Sequence, residues 1–297
     1  MILYALLLLC LLLFFPETAL AGSRYGATLW LTQLLPTLLP FFIAIQLFRD
    51  CLPGVASRRL FLLTGLLCGY PAGAALVMNQ YEQRLLERRQ AYFFLGFVNN
   101  PSPMFVIAFC GITLLGLSVP EAFSLFVLLV LSSFLGSLMF LGILHGTKRL
   151  AGFYPAYTAP SASSATKATG SSLSFSARMD RIILDSFVLL TKIGGYVILF
   201  SIFGQFIGQI LDTGSLSSLL CSGAMEITSG VSYLPEAILS TDTKKVLMVM
   251  ILSFGGLSAA AQTGSILTKS ELSILPYILN KGINSLVAGL LSLIWFL

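Results

Sequence analysis

Apolar stretches about as long as a bilayer is thick follow one another along the whole chain, at about 1–20, 27–48, 60–79, 91–117, 119–144, 182–211, 215–234, 245–268 and 272–297. Crossing the hydrocarbon takes about 20 residues of apolar helix. Inside it every backbone N–H and C=O must find a partner within the protein, so runs of this composition are read as helices. Of 297 residues, 57% are hydrophobic and 10% charged, more apolar surface than a soluble fold of this size can cover. The expectation is an all-α, polytopic membrane protein in one membrane domain, with no separate soluble domain.

The N-terminal stretch ends in an Ala-x-Ala pattern at Thr18–Gly22. Met1–Phe15 carries no basic residue and the next apolar run follows at once, so an uncleaved first helix is expected rather than a secretory signal.

Basic residues then set the topology. Arg49, Arg58 and Arg59 precede the segment 60–79, and Arg84, Arg88 and Arg89 follow it. By the positive-inside rule both flanks are cytoplasmic. A segment whose two ends share a side does not cross, so 60–79 is read as a re-entrant hairpin with Gly69-Tyr70-Pro71-Ala72-Gly73 at its tip. Non-helical backbone at that depth is tolerated where it is buried in protein or lines a wet cavity. The remaining segments place Lys148, Arg149, Lys167, Arg178, Arg181 and Lys269 inside as well. Twelve of the 17 basic residues then lie inside, Arg24, Lys244 and Lys245 outside, and Lys192 and Lys281 within spans.

The two halves repeat one order of span, hairpin, interrupted span and span. Gly69 corresponds to Gly223, Asn99 to Gly255 and Gly136 to Gly289, at offsets of 154, 156 and 153 residues. The first half starts outside and the second inside, which makes them inverted-topology repeats, the architecture of secondary transporters. The division is 1–26, first helix and connection; 27–145, first repeat; 146–181, a cytoplasmic Ser/Ala/Thr-rich linker; and 182–297, second repeat. Between the hairpins and the linker, Gln80–Gln90 reads as an amphipathic helix on the inner surface.

Polarity collects where the segments break: Gly69–Ala74, Asn99–Pro103, Glu226–Gly230 and Gly255–Ser265. Half-helix ends expose unpaired N–H and C=O groups, which suit a carboxylate or a cation. Gly69, Tyr70, Pro71, Gly73, Gly255 and Gly256 would shape the openings. Asn99, Asn100, Ser102, Thr228, Ser258, Gln262 and Thr263 would add donors and acceptors around one central solute. Against this stands the plainer reading that small and polar residues let membrane helices pack closely.

Three ionisable residues sit in apolar surroundings, where a charge costs at least about 2.5 kcal/mol. Lys192 or Lys281 would neutralise an anionic solute, and Glu226 would bind a coupling proton or cation. The structural alternatives are snorkelling lysines or a pair between Glu226 and a lysine. Cys10, Cys51, Cys68, Cys110 and Cys221 stand singly and His145 is alone, so neither a disulfide framework nor a metal site is expected. No phosphate-binding loop, nucleophile elbow or paired carboxylates appear, so no cofactor and no enzyme activity are expected. The net charge of +5 follows membrane sidedness, and no nucleic-acid partner is expected.

The motifs Ala27–Ile43, Cys68–Ala74, Phe97–Gly111, Gly223–Leu234, Ser253–Leu267 and Pro276–Leu291, in this order, resemble the sporulation integral membrane protein YlbJ family, which carries the nucleoside-recognition Gate domain. The resemblance implies a nucleoside-transporter-like fold with paired hairpins. It also implies an endospore-forming source and movement of dipicolinic acid across the outer forespore membrane during sporulation. The expected function is therefore a transporter or channel for a small organic anion, driven by a gradient or by a separate partner. The alternatives are a nucleoside-type transporter and a non-transporting assembly protein of the spore envelope. The solute, the coupling ion and self-association are left open by the sequence.

Overall fold

The computed structural model describes residues 6, 9–10, 12–51, 58–146, 174–211, 215–268 and 270–297. Lys148, Arg149, Lys167, Lys269, the linker stretch 160–173 and part of the first apolar segment lie outside them, as do the side chains of Arg49, Arg58, Arg59 and His145.

All the regular structure described is helical. In chain order come α1 (Pro16–Leu29), a π-helical turn (Trp30–Leu34), α2 (Leu35–Cys51), α3 (Arg58–Cys68), α4 (Ala72–Glu82) and α5 (Arg88–Val98). A π-helical segment (Phe105–Leu114) follows, then α6 (Val119–Gly146), α7 (Phe175–Ile210), α8 (Leu216–Met225), α9 (Ile227–Ser232), α10 (Thr241–Phe254), α11 (Gly256–Leu267) and α12 (Ile274–Phe296). Five continuous or nearly continuous helical stretches are long and apolar enough to cross a membrane: Pro16–Phe48, Val119–Leu144, Phe175–Ile210, Thr241–Leu267 and Ile274–Phe296.

The helix that starts at Pro16 runs unbroken through 21–26, where the sequence suggests a connection. Proline suits a first helical turn, where its missing N–H is not needed. Gly22 and Gly26 then keep the helix going by letting it touch α7 backbone to backbone. A methyl group at either would come within 2.6 Å of Ile202 Cα or 2.8 Å of Ile198 Cα. This is the small-residue spacing that brings membrane helices together. Trp30 completes the seam: its Nε1 donates to Leu190 O at 3.0 Å and its indole lies over Gly194. The π turn falls just before Pro36, whose missing N–H interrupts the helical ladder.

On the other side of the molecule α12 packs between α6 and α10. Asn280 and Asn284, one turn apart, donate to Tyr92 O and Gly96 O of α5, each at 3.0 Å. Ser137 of α6 donates to Asn280 Oδ1 at 3.1 Å. Gly96 and Gly136 lie directly against these asparagines.

The ends of these helices are tied in two separate groups. Arg88 Nη2 donates to Glu271 O at 3.0 Å, and Ser273 N donates to Tyr92 Oη at 2.9 Å. At the opposite end Lys245 meets Glu121 at 3.3 Å and Asp242 at 3.2 Å, with its Nζ 5.2 Å from the Phe296 ring.

A second expectation is corrected. Gln80–Gln90 is not a surface helix. Its chain leaves α4 at Glu82, passes Arg84 at φ +60°, and restarts at Arg88 under a reciprocal cap between Glu87 and Gln90. The left-handed residue ends one helix and the cap nucleates the next. Leu86 turns into the core, while Leu85 is exposed.

Candidate functional site

Four interruptions of helix meet in the middle of the structure. The first follows α3: Gly69 adopts φ +70°, Tyr70–Pro71 is cis, and α4 starts at Ala72. Gly65 and Gly73, on either side of it, both lie against Val98, so the chain turns round that residue. The second interruption touches the first. Tyr70 N donates to Asn100 O at 3.0 Å, and a methyl group on Gly69 would stand 2.8 Å from Ser102 N.

Asn99, fully buried, holds three elements at once. Its Oδ1 accepts from Ala74 N at 3.1 Å, and its Nδ2 donates to Thr263 Oγ1 at 2.9 Å and Tyr277 Oη at 3.0 Å. Asn100 donates to Phe97 O at 2.7 Å and accepts at Oδ1 from Ser133 Oγ at 3.1 Å and Lys281 Nζ at 2.6 Å. Lys281 also reaches Asn99 O at 3.4 Å.

The third interruption is Glu226, between α8 and α9. Gly223 and Gly230 lie against each other across it, so the chain folds back here. Glu226 caps α9 with its own side chain: Oε1 accepts from Thr228 N at 2.9 Å, and Oε2 from Ser229 N at 2.7 Å and Ser229 Oγ at 2.9 Å. The fourth is Gly255-Gly256, at φ +87° and +77°, a conformation that only glycine adopts without strain. Gly256 approaches Gly223 O and Met225 O, so the third and fourth breaks also touch.

Between them lies a cavity of about 40 Å³. Cys68, Gly69, Tyr70, Ser102, Glu226, Thr228, Gly255, Ser258 and Gln262 line it from the breaks, and Leu34, Leu38, Phe42, Phe105, Ile193 and Val197 close its apolar wall. Tyr70 Oη and Gln262 Oε1 are buried with no hydrogen-bond partner. Such groups are costly unless something else satisfies them. The space suits water, whereas solute sites span about 300–1,000 Å³. The cavity is therefore small for a solute as it stands.

Of the residues singled out in the sequence, Gly69, Tyr70, Ser102, Glu226, Thr228, Gly255, Ser258 and Gln262 face this cavity. Asn99, Asn100, Gly73, Gly256, Thr263 and Lys281 stand behind it and tie the breaks together. Pro71 completes the turn at the first break. Lys192 lies on an exposed face of α7, away from the others. Glu226 and Lys281 make no ion pair with each other, and neither is matched by an opposite charge among the described residues. The apolar wall from α2 and α7 and the partners Tyr277, Asn280 and Asn284 were not singled out as site residues. The asparagines had a visible signal, two amides one turn apart in an apolar helix.

Among the described residues no three of His, Cys, Asp or Glu gather into a metal site. No protein-family model matches the chain, and no solved structure matches it. Its long apolar helices and the match that follows make it a multi-pass membrane protein. The family resemblance seen in the sequence is borne out by a curated relative: over 94% of its length the chain is similar, at 26% identity, to the sporulation integral membrane protein YlbJ of Bacillus subtilis (strain 168), of which the match covers 78%.

Proposed function

We propose that the protein moves a small organic anion across a membrane, with dipicolinate as the solute, during sporulation and at the outer forespore membrane. The observation that carries this reading is the meeting of four helix interruptions on one small cavity that holds a buried carboxylate and two unpartnered polar atoms. Membrane helices that only pack together have no need of these.

In this reading the fold is a pair of inverted repeats with two re-entrant hairpins, of the nucleoside-transporter and Gate-domain kind. Support comes from the chain reversals at Gly69–Pro71 and Glu226, from the same contact of hairpin with helix break in each half, Gly69 on Ser102 and Gly256 on Gly223, and from the near-constant sequence offset. Transport proceeds as one part of the molecule moves against the other and widens the cavity. Lys281 supplies the counter-charge: its Cε lies beside Gly255, 3.5 Å from where a methyl group there would be. A shift of Gly255 away from Lys281 would open a way for its ammonium to the solute. The rings of Phe42, Tyr70 and Phe105 suit a flat aromatic solute. The same rings favour a nucleobase as the second reading.

The test is uptake of labelled dipicolinate by purified protein in vesicles. Glu226→Gln and Ser258→Ala are each expected to lower uptake while the protein still elutes as a folded species. Unchanged uptake in both removes the site assignment. Competition by nucleosides favours the second reading. No uptake of either solute leaves a scaffold or assembly role.

A further inference from the structure

A carboxyl group that carries a proton along with a solute can be served by an aqueous route separate from the solute's own pocket. Glu226 has one behind it. One helical turn before it, Ser222 lines a second cavity of about 170 Å³, together with Ser218, Gly204, Gln205 and Tyr233. That is ample room for water, and its walls offer the polar partners water needs. Gly208 and Ala237 carry the same cavity toward the end of the molecule marked by Lys245 and Glu121. Lys244, next to that pair, donates to Pro235 O at 2.7 Å.

Two buried hydroxyls link the carboxylate to α7, one helical turn from the Gly204 and Gln205 that line this cavity. Ser229 Oγ donates to Glu226 Oε2 at 2.9 Å and lies 2.7 Å from Ser201 Oγ. Ser201, Gly204 and Gln205 fall at i, i+3 and i+4 on α7 and so share one face. The two serines are 1% and 3% exposed, so neither is satisfied by bulk water.

We propose that protons reach Glu226 from the outer end through this second cavity and the Ser201–Ser229 pair, while the solute meets the same carboxyl group from the 40 Å³ cavity. A hydronium in the cavity gives its proton to Ser201 Oγ and becomes water. Ser201 passes its own proton to Ser229, and Ser229 passes its own to Glu226 Oε2. Each hydroxyl gains one proton and loses one, and the carboxylate becomes a neutral acid. The titratable groups that face Glu226 are Tyr70 and Cys68 from the first break, with Tyr25 and Tyr233 behind. The charged groups of the surrounding elements stand away from it: Lys192 on an exposed face, Glu236 exposed beyond Tyr233, Asp242 and Lys245 at the start of α10, and Lys281 on Asn100. The coupling role rests on the transport reading above; the path itself is tested without any solute.

Full-length protein is reconstituted in one orientation, and the protonated-carboxyl infrared band is assigned by its loss in Glu226→Gln. The band is expected to follow a pH jump on the outer side. In Ser201→Ala, and separately in Ser229→Ala, its rise should slow by about a hundredfold, the scale of losing a positioned proton donor, with the final amplitude kept. Ser201→Thr should restore the rate. A band that follows inner-side pH, stays constant with pH, or keeps its wild-type rate in both alanine variants overturns the proposal. Failure of dipicolinate uptake alongside an outer-side response would instead sink the transport reading and leave the path standing.

Discussion

Lys281 Nζ donates to Asn100 Oδ1 at 2.6 Å, and no carboxylate accompanies it among the described residues. A single amide oxygen therefore carries most of the stabilisation of a buried ammonium. Asn100→Ala is expected to lower unfolding free energy in detergent by about 1.5–3 kcal/mol, the worth of a hydrogen bond to a charged group. Lys281→Met should leave stability unchanged or raise it, since an apolar residue of similar size often replaces a buried charge without loss. Dipicolinate uptake by Lys281→Met should nonetheless fall at least about tenfold, the equivalent of about 1.4 kcal/mol. Retained uptake would remove its role as counter-charge.

At Gly255 the left-handed backbone alone disfavours a side chain, whereas at Gly256 the backbone oxygens of Gly223 and Met225 also crowd it. The nearest atoms to a methyl group would be 3.5 Å and 3.3 Å away. Alanine at either should cost about 1–2 kcal/mol of backbone strain. At Gly69 the same change adds a clash with Ser102 N at 2.8 Å and should cost more. Thermal melting of the three variants tests the order.

The bonds from Asn280 and Asn284 to α5 predict a modest, separable effect. Each alanine substitution should lower stability by about 0.6–1.7 kcal/mol, the range for interhelical hydrogen bonds in membranes. Equal melting temperatures for both variants and the parent would show that α12 is held by contact alone.

Sidedness is tested by single cysteines in a cysteine-free background. Glu82 and Ser57, the latter outside the described residues, should label from the inner side, and Ser118 from the outer. Labelling of Ser57 and Glu82 from opposite sides would make 60–79 an ordinary crossing and end the inverted-repeat reading.

The breaks were legible because prolines, amides and carboxylates are rare enough in apolar runs to carry positional meaning. Asn99 and Glu226 could be singled out on that ground alone. The cavity's apolar wall could not: Leu34, Leu38 and Val197 look like any lipid-facing residue until the helices are assembled. The turn after α4 was misread because leucines among alternating charges imitate a surface helix. Its sequence signal was Glu87 three residues before Gln90, a capping pair, while the left-handed turn at Arg84 shows only in the structure. The continuous helix from Pro16 was missed because Gly22 and Gly26 suggest a loop, and only their seat on α7 shows them to be contact points.

That seat limits how the molecule can open. With Gly22 and Gly26 pressed on Ile202 and Ile198, and Trp30 lodged over Gly194, α1 and α7 have almost no freedom to slide past each other. They would swing as one door leaf. On the proposed transport function, Ile193 and Val197 ride on that leaf, so a few degrees of tilt would widen the cavity they line.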